Sequence, residues 1–215
     1  MRIAAGPGAV LLILLFWFTP ASAQEKRPLP IVAADLRGFY TGLGQDPVTA
    51  GDLGVSPTDL PSRGLGGVAG VHLYPLRGRK MSLGIGAEGL IARGRAQQED
   101  ATTGAPLGEP IEQRLISISP QLSLNFGHRE GWSYLSAGMG RVSFETFQGA
   151  LPPSELPPTK STINMGGGAR WFFTSHVAFT FDVRFYLTRP EAASALFPGR
   201  QRARLMVLSA GLGFK

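Results

Sequence analysis

INMGGGARWFFTSHVAFTFDVRFYLT, residues Ile163 to Thr188, decides the fold. Up to Phe173 its side chains fall into two sets at period two. Ile163, Met165, Gly167, Ala169, Trp171 and Phe173 share one face, and Asn164, Gly166, Gly168 and Arg170 share the other. After a break at Ser175 and His176 the pattern resumes. Phe179, Phe181, Val183, Phe185 and Leu187 alternate with Thr180, Asp182, Arg184, Tyr186 and Thr188. Alternation of this length predicts two β-strands joined by a tight turn. A turn of Ser175, His176 and Val177 places Arg170 directly opposite Asp182. A turn one residue earlier makes the two diagonal neighbours, still within a long side chain's reach. Either register joins opposite charges on the polar face.

Working outward to the start of the chain, Met1 and Arg2 precede an apolar run from Ala9 to Phe18 and the small-x-small pattern Ala21-Ser22-Ala23. This is the pattern of a cleaved secretory signal over residues 1–23, because the run is shorter than the roughly 20 residues a helical span needs. Residues 24–34 read as a short leader and 35–215 as one β domain. No later stretch is a long uninterrupted apolar run, so no transmembrane helix is expected in the mature chain. There is no cysteine, which excludes disulfides and thiolate metal sites. The net charge of +6 is spread over loops and strands, which gives nucleic-acid binding no support. With 29 glycines and 17 prolines in 215 residues, the composition suits strands and turns.

Further strand patterns run about Asp35–Gly44, Leu65–Tyr74, Met81–Ala92, Ile116–Phe126, Trp132–Phe144 and Ala203–Phe214. Pro120 falls inside the fourth of these, where its missing N–H predicts a bulge. With the hairpin this makes eight strands. Their connections alternate long and short, so four long loops, one of them Arg95 to Pro110, lie at one end and three short turns at the other. An antiparallel up-and-down barrel with both chain ends on the short-turn side has the geometry of a bacterial outer-membrane barrel.

Size selects the face that meets lipid. An eight-stranded barrel has room for little more than its own small side chains. Trp171, Phe173, Phe179, Phe181, Phe185, Leu122, Leu124 and Phe126 would overfill it, whereas the Gly, Ser, Asn and Gln face fits. The expected lumen network is Glu88, Gln121, Asn125, Arg170, Asp182 and Arg184. The lipid face is then apolar, where a midplane charge would cost about 2–4 kcal/mol. Tyr74, Phe126, Trp132, Trp171, Phe173 and Phe214 are expected to form an interfacial girdle near the short-turn end.

NMGGGARWFF, FTFDVRFYL and the closing LSAGLGFK resemble the small outer-membrane β-barrel proteins of the OmpA-like and OmpX-like group. The resemblance covers the whole mature chain. Members of that group typically finish on an aromatic, whereas here Lys215 follows Phe214. The peptidoglycan-binding domain that follows the barrel in OmpA has no counterpart in the expected organisation. By this resemblance the barrel enzymes that act on lipid would carry a Ser/His pair on the lipid-facing wall. No His-x-Ser occurs here, and the outward faces bring no Ser, His and carboxylate together.

Gly84-Ile-Gly86-Ala-Glu88-Gly89 is a literal GxGxxG, but strand and not helix follows it, in an exported chain. Small residues lining a narrow lumen account for it. His72, His128 and His176 share no metal-ligand spacing. The expected protein is a non-enzymatic outer-membrane barrel without cofactor or metal, monomeric, in contact with outer-membrane lipid. Any surface ligand would be held by its loops. A narrow porin-like pore for small solutes is the alternative, and a membrane-embedded lipid-modifying enzyme the next.

Overall fold

The computed structural model describes residues 28–78, 81–100, 102–149, 159–189 and 204–215. The expected signal segment and the first leader residues lie outside these, as do most of the connections after the fifth and seventh strands. Eight strands follow one another: β1 (Val32–Gly42), β2 (Arg63–Arg77), β3 (Met81–Glu99), β4 (Pro106–His128), β5 (Gly131–Gln148), β6 (Thr159–Phe172), β7 (Val177–Thr188) and β8 (Arg204–Phe214). Each pairs antiparallel with its neighbours in sequence, and β8 returns to β1, closing the barrel. Closure leaves no strand edge along the wall, which is what a sheet needs in lipid.

The β6–β7 register pairs Arg170 with Thr180 and Gly168 with Asp182, so Arg170 and Asp182 are diagonal neighbours. The alternation of the two strands sorts as read. Ile163, Met165, Trp171, Phe179, Phe181 and Phe185 are exposed on the outer wall, and Asn164, Arg170, Asp182 and Arg184 are buried within. Leu36, Leu65, Ile85, Ile118, Leu122, Leu135, Leu208 and Leu212 extend the outer apolar surface around the barrel. Such a belt is stable only against hydrocarbon, and the barrel is a transmembrane one.

Several boundaries differ from the sequence reading. Strand β1 starts at Val32, so the end of the leader is already wall, and Leu29 is buried inside the barrel's short-turn end. Pro120 causes no bulge. Its register with β3 is unbroken, and towards β5 the pairing only lapses between Ile118 and Gln121 before resuming in step. The missing N–H is absorbed where β5 has Gly138 and Gly140. The irregularities sit elsewhere, between Leu73 and Leu76 of β2 and between Ala96 and Gln98 of β3.

The segment Arg95 to Pro110 is not a long loop. Strands β3 and β4 stay paired out to Glu99 and Pro106, leaving a six-residue turn. A strand that has left the bilayer needs no apolar alternation, so polar sequence here hid a hairpin. Cross-strand bonds hold it: Arg93 is bidentate to Glu112, with Nε 2.9 Å from Oε2 and Nη2 2.6 Å from Oε1. The β1–β2 connection is long and carries a short helix α1 (Pro47–Asp52), whose N-cap Asp46 accepts the Thr49 N–H at 3.2 Å. A 3₁₀ turn at Pro57–Asp59 follows. Ala50 and Leu60 pack with Ile111 of β4, and Gln98 Nε2 donates to Asp59 at 2.9 Å. Helix α1 is too short to cross a membrane, and among the described residues no helix is long and apolar enough to do so.

Candidate functional site

Inward-facing residues form three layers. At the short-turn end lies an aromatic floor. Tyr74 meets the Trp132 ring edge-on at 5.9 Å, and Trp132 stacks on Phe172 at 5.2 Å. The Lys215 ammonium lies 3.7 Å from the Phe172 ring centre, and the Lys215 backbone N–H donates to His176 O at 3.1 Å. Lys215 Nζ also donates to the Arg129 carbonyl, so the residue beyond the last aromatic ties β8 to two short turns.

This corrects the girdle. Tyr74 is 1% and Trp132 2% exposed, so both are lumen residues, whereas Phe126, Trp171, Phe173 and Phe214 do face outward. Height along the barrel and side of the wall are separate coordinates. Tyr74 has the parity of His72, not of exposed Val71 and Leu73; Trp132 has the parity of inward Tyr134 and Ser136. Outside, Trp171 stacks on Phe179 with ring centres 6.3 Å apart.

Above the floor is the charged layer. Arg37 of β1 reaches three carboxylates: Nε lies 2.7 Å from Asp35 Oδ1, Nη1 lies 3.2 Å from Asp182 Oδ1, and Nη2 pairs with Glu88. Nη1 also donates to Ser209 Oγ at 3.1 Å. Arg170 Nη2 pairs with Asp35 Oδ2 at 2.5 Å, and its guanidinium lies 4.5 Å from the Tyr134 ring centre. Arg184 Nη2 is 3.0 Å from Asp182 Oδ2 and donates to Ser136 Oγ at 2.8 Å, while Nη1 donates to Asn164 Oδ1 at 3.0 Å. Two phenols complete the set: Tyr134 Oη donates to Asp182 at 2.8 Å and Tyr186 Oη to Glu88 at 2.7 Å. Three guanidiniums thus face three carboxylates, and the layer is charge-balanced. Balance matters because a buried ion is tolerated only when paired and hydrogen-bonded.

The six expected lumen residues are all buried. Glu88, Arg170, Asp182 and Arg184 belong to this layer. Gln121 joins it through Nε2 to Asn164 Oδ1 at 3.3 Å, whereas Asn125 bonds locally, to Ser123 Oγ at 3.0 Å. Sequence reasoning missed Asp35, Arg37, Tyr134 and Tyr186. Their signal was available as parity: Asp35 and Arg37 flank the outward Leu36, two charges on one face of a strand. The triple glycine makes room for the layer. A Cβ on Gly168 would sit 2.1 Å from Phe181 O and 2.7 Å from Tyr134 Oη.

The third layer, nearer the long-loop end, is apolar. Phe39, Val68, Leu90, Leu115, Val142, Leu205 and Val207 pack together across the lumen, touching the ring of Tyr186. The narrow lumen thus holds an apolar cluster as well as the expected polar residues, with buried Thr41, Gln113 and Thr162 beyond it toward the long-loop end. Eight strands leave space for side chains and little else.

The GxGxxG lies wholly in β3, with strand on both sides. Ser175 Oγ and His176 Nδ1 lie 2.7 Å apart in the β6–β7 turn. Both are exposed, adjacent in sequence, and among the described residues no carboxylate orients the imidazole. That pair lacks the third member and the shelter that nucleophilic catalysis uses.

No family model matches the chain, and no curated protein does. Solved structures of similar fold include Neisserial surface protein A (13% identity, 86% of this chain and 95% of that one, TM-score 0.49). They also include the N-terminal β-barrel domain of Pseudomonas aeruginosa OprF (12%, 87% and 98%, 0.41) and Ail, the attachment invasion locus protein of Yersinia pestis (13%, 85% and 97%, 0.38). By its own strand order, closure and outward apolar belt, the chain is similar in fold to the small eight-stranded outer-membrane barrels.

Proposed function

We propose that this protein is a non-enzymatic integral barrel of the cell outer membrane, monomeric, whose lumen is a structural core and whose contacts with other molecules are made on the long-loop side. The observation that carries the reading is Arg37, buried and bound to Asp35, Glu88 and Asp182 beneath a layer of apolar side chains. A lumen filled by paired charges and a packed apolar layer leaves a solute no continuous polar path. The closed wall has no free strand edge to be covered by a second copy. The export-type pattern of residues 1–23 and the alternating wall support an outer-membrane destination. Recognition then falls to the β1–β2 segment with α1 and to the projecting β3–β4 hairpin, since variable surface function is carried on connections held by a rigid scaffold.

The test is outer-membrane fractionation with gel mobility before and after boiling, followed by planar-bilayer recording of the refolded protein. Recovery in the outer membrane, a heat-dependent shift and a silent bilayer are expected. Discrete conductance steps would favour the pore instead, and recovery in the soluble periplasm would overturn the membrane reading.

A further inference from the structure

Outward-facing arginines recur where the belt ends on the long-loop side, and at one place they flank a groove. Across β5, β6 and β7, Met139, Ile163 and Leu187 stand side by side in register. One step higher Arg141 pairs with Ser161, whose carbonyl accepts the Arg189 N–H at 3.0 Å. The two arginines are thus two strand spacings apart, about 10 Å between backbones, with Ser161 between them. These residues line a groove of ≈ 510 Å³ on the barrel exterior. Its lower part is hydrocarbon-facing, with Met139 71% exposed, and its upper rim is cationic. Among the described residues neither Arg141 nor Arg189 forms an ion pair. A second outer groove among the described residues, over β1, β2, β7 and β8, is lined by Tyr40, Leu65, Phe181 and Leu208 and has no cation.

We propose that the β5–β7 groove binds a phosphate-bearing anionic lipid of the leaflet on the long-loop side. Arg141 and Arg189 hold the phosphate, as planar guanidiniums do with bidentate geometry. Ser161 faces it from between them, and Met139, Ile163 and Leu187 take the first segment of an acyl chain. The occupant follows from the height of the groove, which straddles the level where hydrocarbon gives way to headgroups. A soluble anion would find the cations but leave the apolar floor uncovered. The site rests on the membrane reading above.

The experiment uses full-length mature protein refolded in zwitterionic micelles, titrated with phosphatidic acid or with phosphatidylcholine, retained lipid being counted by native mass spectrometry. The protein is expected to retain phosphatidic acid in preference to phosphatidylcholine. Arg141→Gln with Arg189→Gln should weaken that retention roughly tenfold or more, at about one kcal/mol per basic residue near a surface. Arg129→Gln, an exposed arginine of the opposite end, should leave it unchanged. Equal retention of the two lipids, or equal loss in the Arg129→Gln variant, would overturn the site. Every variant is checked for the boiling-dependent gel shift. Absence of that shift in the parent protein would sink the membrane reading and the site together, which is a different outcome from a folded barrel without lipid preference.

Discussion

Arg37 on β1 and Asp182 on β7 meet inside the barrel with Nη1 and Oδ1 3.2 Å apart. Their strands are separated in space by β8, so the contact bridges the inner face of that strand and does not follow the ladder. Arg37 also engages Glu88 on β3. One side chain therefore links three parts of the wall that share no backbone hydrogen bond with one another.

Replacing that side chain tests the link. Arg37→Met leaves two guanidiniums against three carboxylates, and breaking a buried pair from one side costs about 3–5 kcal/mol. Adding Glu88→Gln restores the balance and should recover a substantial part. Urea unfolding in micelles, followed by gel mobility, measures both. A single variant within about 0.5 kcal/mol of the parent, the range of an ordinary surface change, would show that the layer is dispensable.

The outer belt makes a prediction that depends on depth. Leu208 lies midway along β8 and Leu107 near the tip of the β3–β4 hairpin, both exposed. Leu208→Arg should cost about 2–4 kcal/mol and Leu107→Arg about 0–1 kcal/mol for folding into bilayers. Equal costs would mean that the exterior does not face a bilayer with its midplane near Leu208.

The glycines of the GxGxxG separate a lumen motif from a nucleotide motif. A Cβ on Gly86 would lie 2.5 Å from both Val71 O and His72 Nδ1, whereas one on Gly89 meets nothing within 4 Å. Gly86→Ala should destabilise by about 1–3 kcal/mol through overpacking. Gly89→Ala should be neutral or slightly stabilising. A thermal melt of each in micelles is enough, and a reversed order would contradict the placement of the lumen.

At the tip of the β3–β4 hairpin, Asp100 accepts the Thr103 and Thr102 N–H groups at 2.8 and 2.9 Å and the Thr103 hydroxyl at 3.0 Å. The Thr103 N–H, then that of Thr102, then the hydroxyl hold its carboxyl below the ordinary carboxylate value. A depressed folded pKa means the turn is supported above the unfolded pKa and loses that support as pH falls through the folded value. Carboxyl-carbon NMR should place the Asp100 midpoint below that of an unstructured peptide, and the protection of the Thr102 and Thr103 amides, relative to their intrinsic exchange at each pH, should fall at acid pH. Asp100→Ala should remove the pH dependence of that protection.

What could be read from residues alone was whatever repeats at period two inside the bilayer. The β6–β7 hairpin, the strand order and the inward Glu88, Arg170, Asp182 and Arg184 all follow from alternation, because lipid on one side and a narrow lumen on the other enforce it. Tyr74 and Trp132 were misplaced because aromatic side chains suit both an interfacial girdle and a lumen floor. Only their parity, relative to Val71 and Leu73 or to Tyr134, separates the two. Arg37 shares an inward parity with Asp35, which marks its face, but its other partners Glu88 and Asp182 are brought to it only when the barrel closes. The hairpin beyond Arg93 was hidden because outside the membrane nothing demands apolar residues.

Strand β4 has 23 residues and β1 and β8 have 11 each. At roughly 3.3 Å per residue that is about 75 Å of wall against about 36 Å. Among the described strands the wall thus runs longest through β3, β4 and β5 and shortest through β8 and β1. The protein has a front and a back as well as a top and a bottom, and whatever docks on it would have to arrive with a heading.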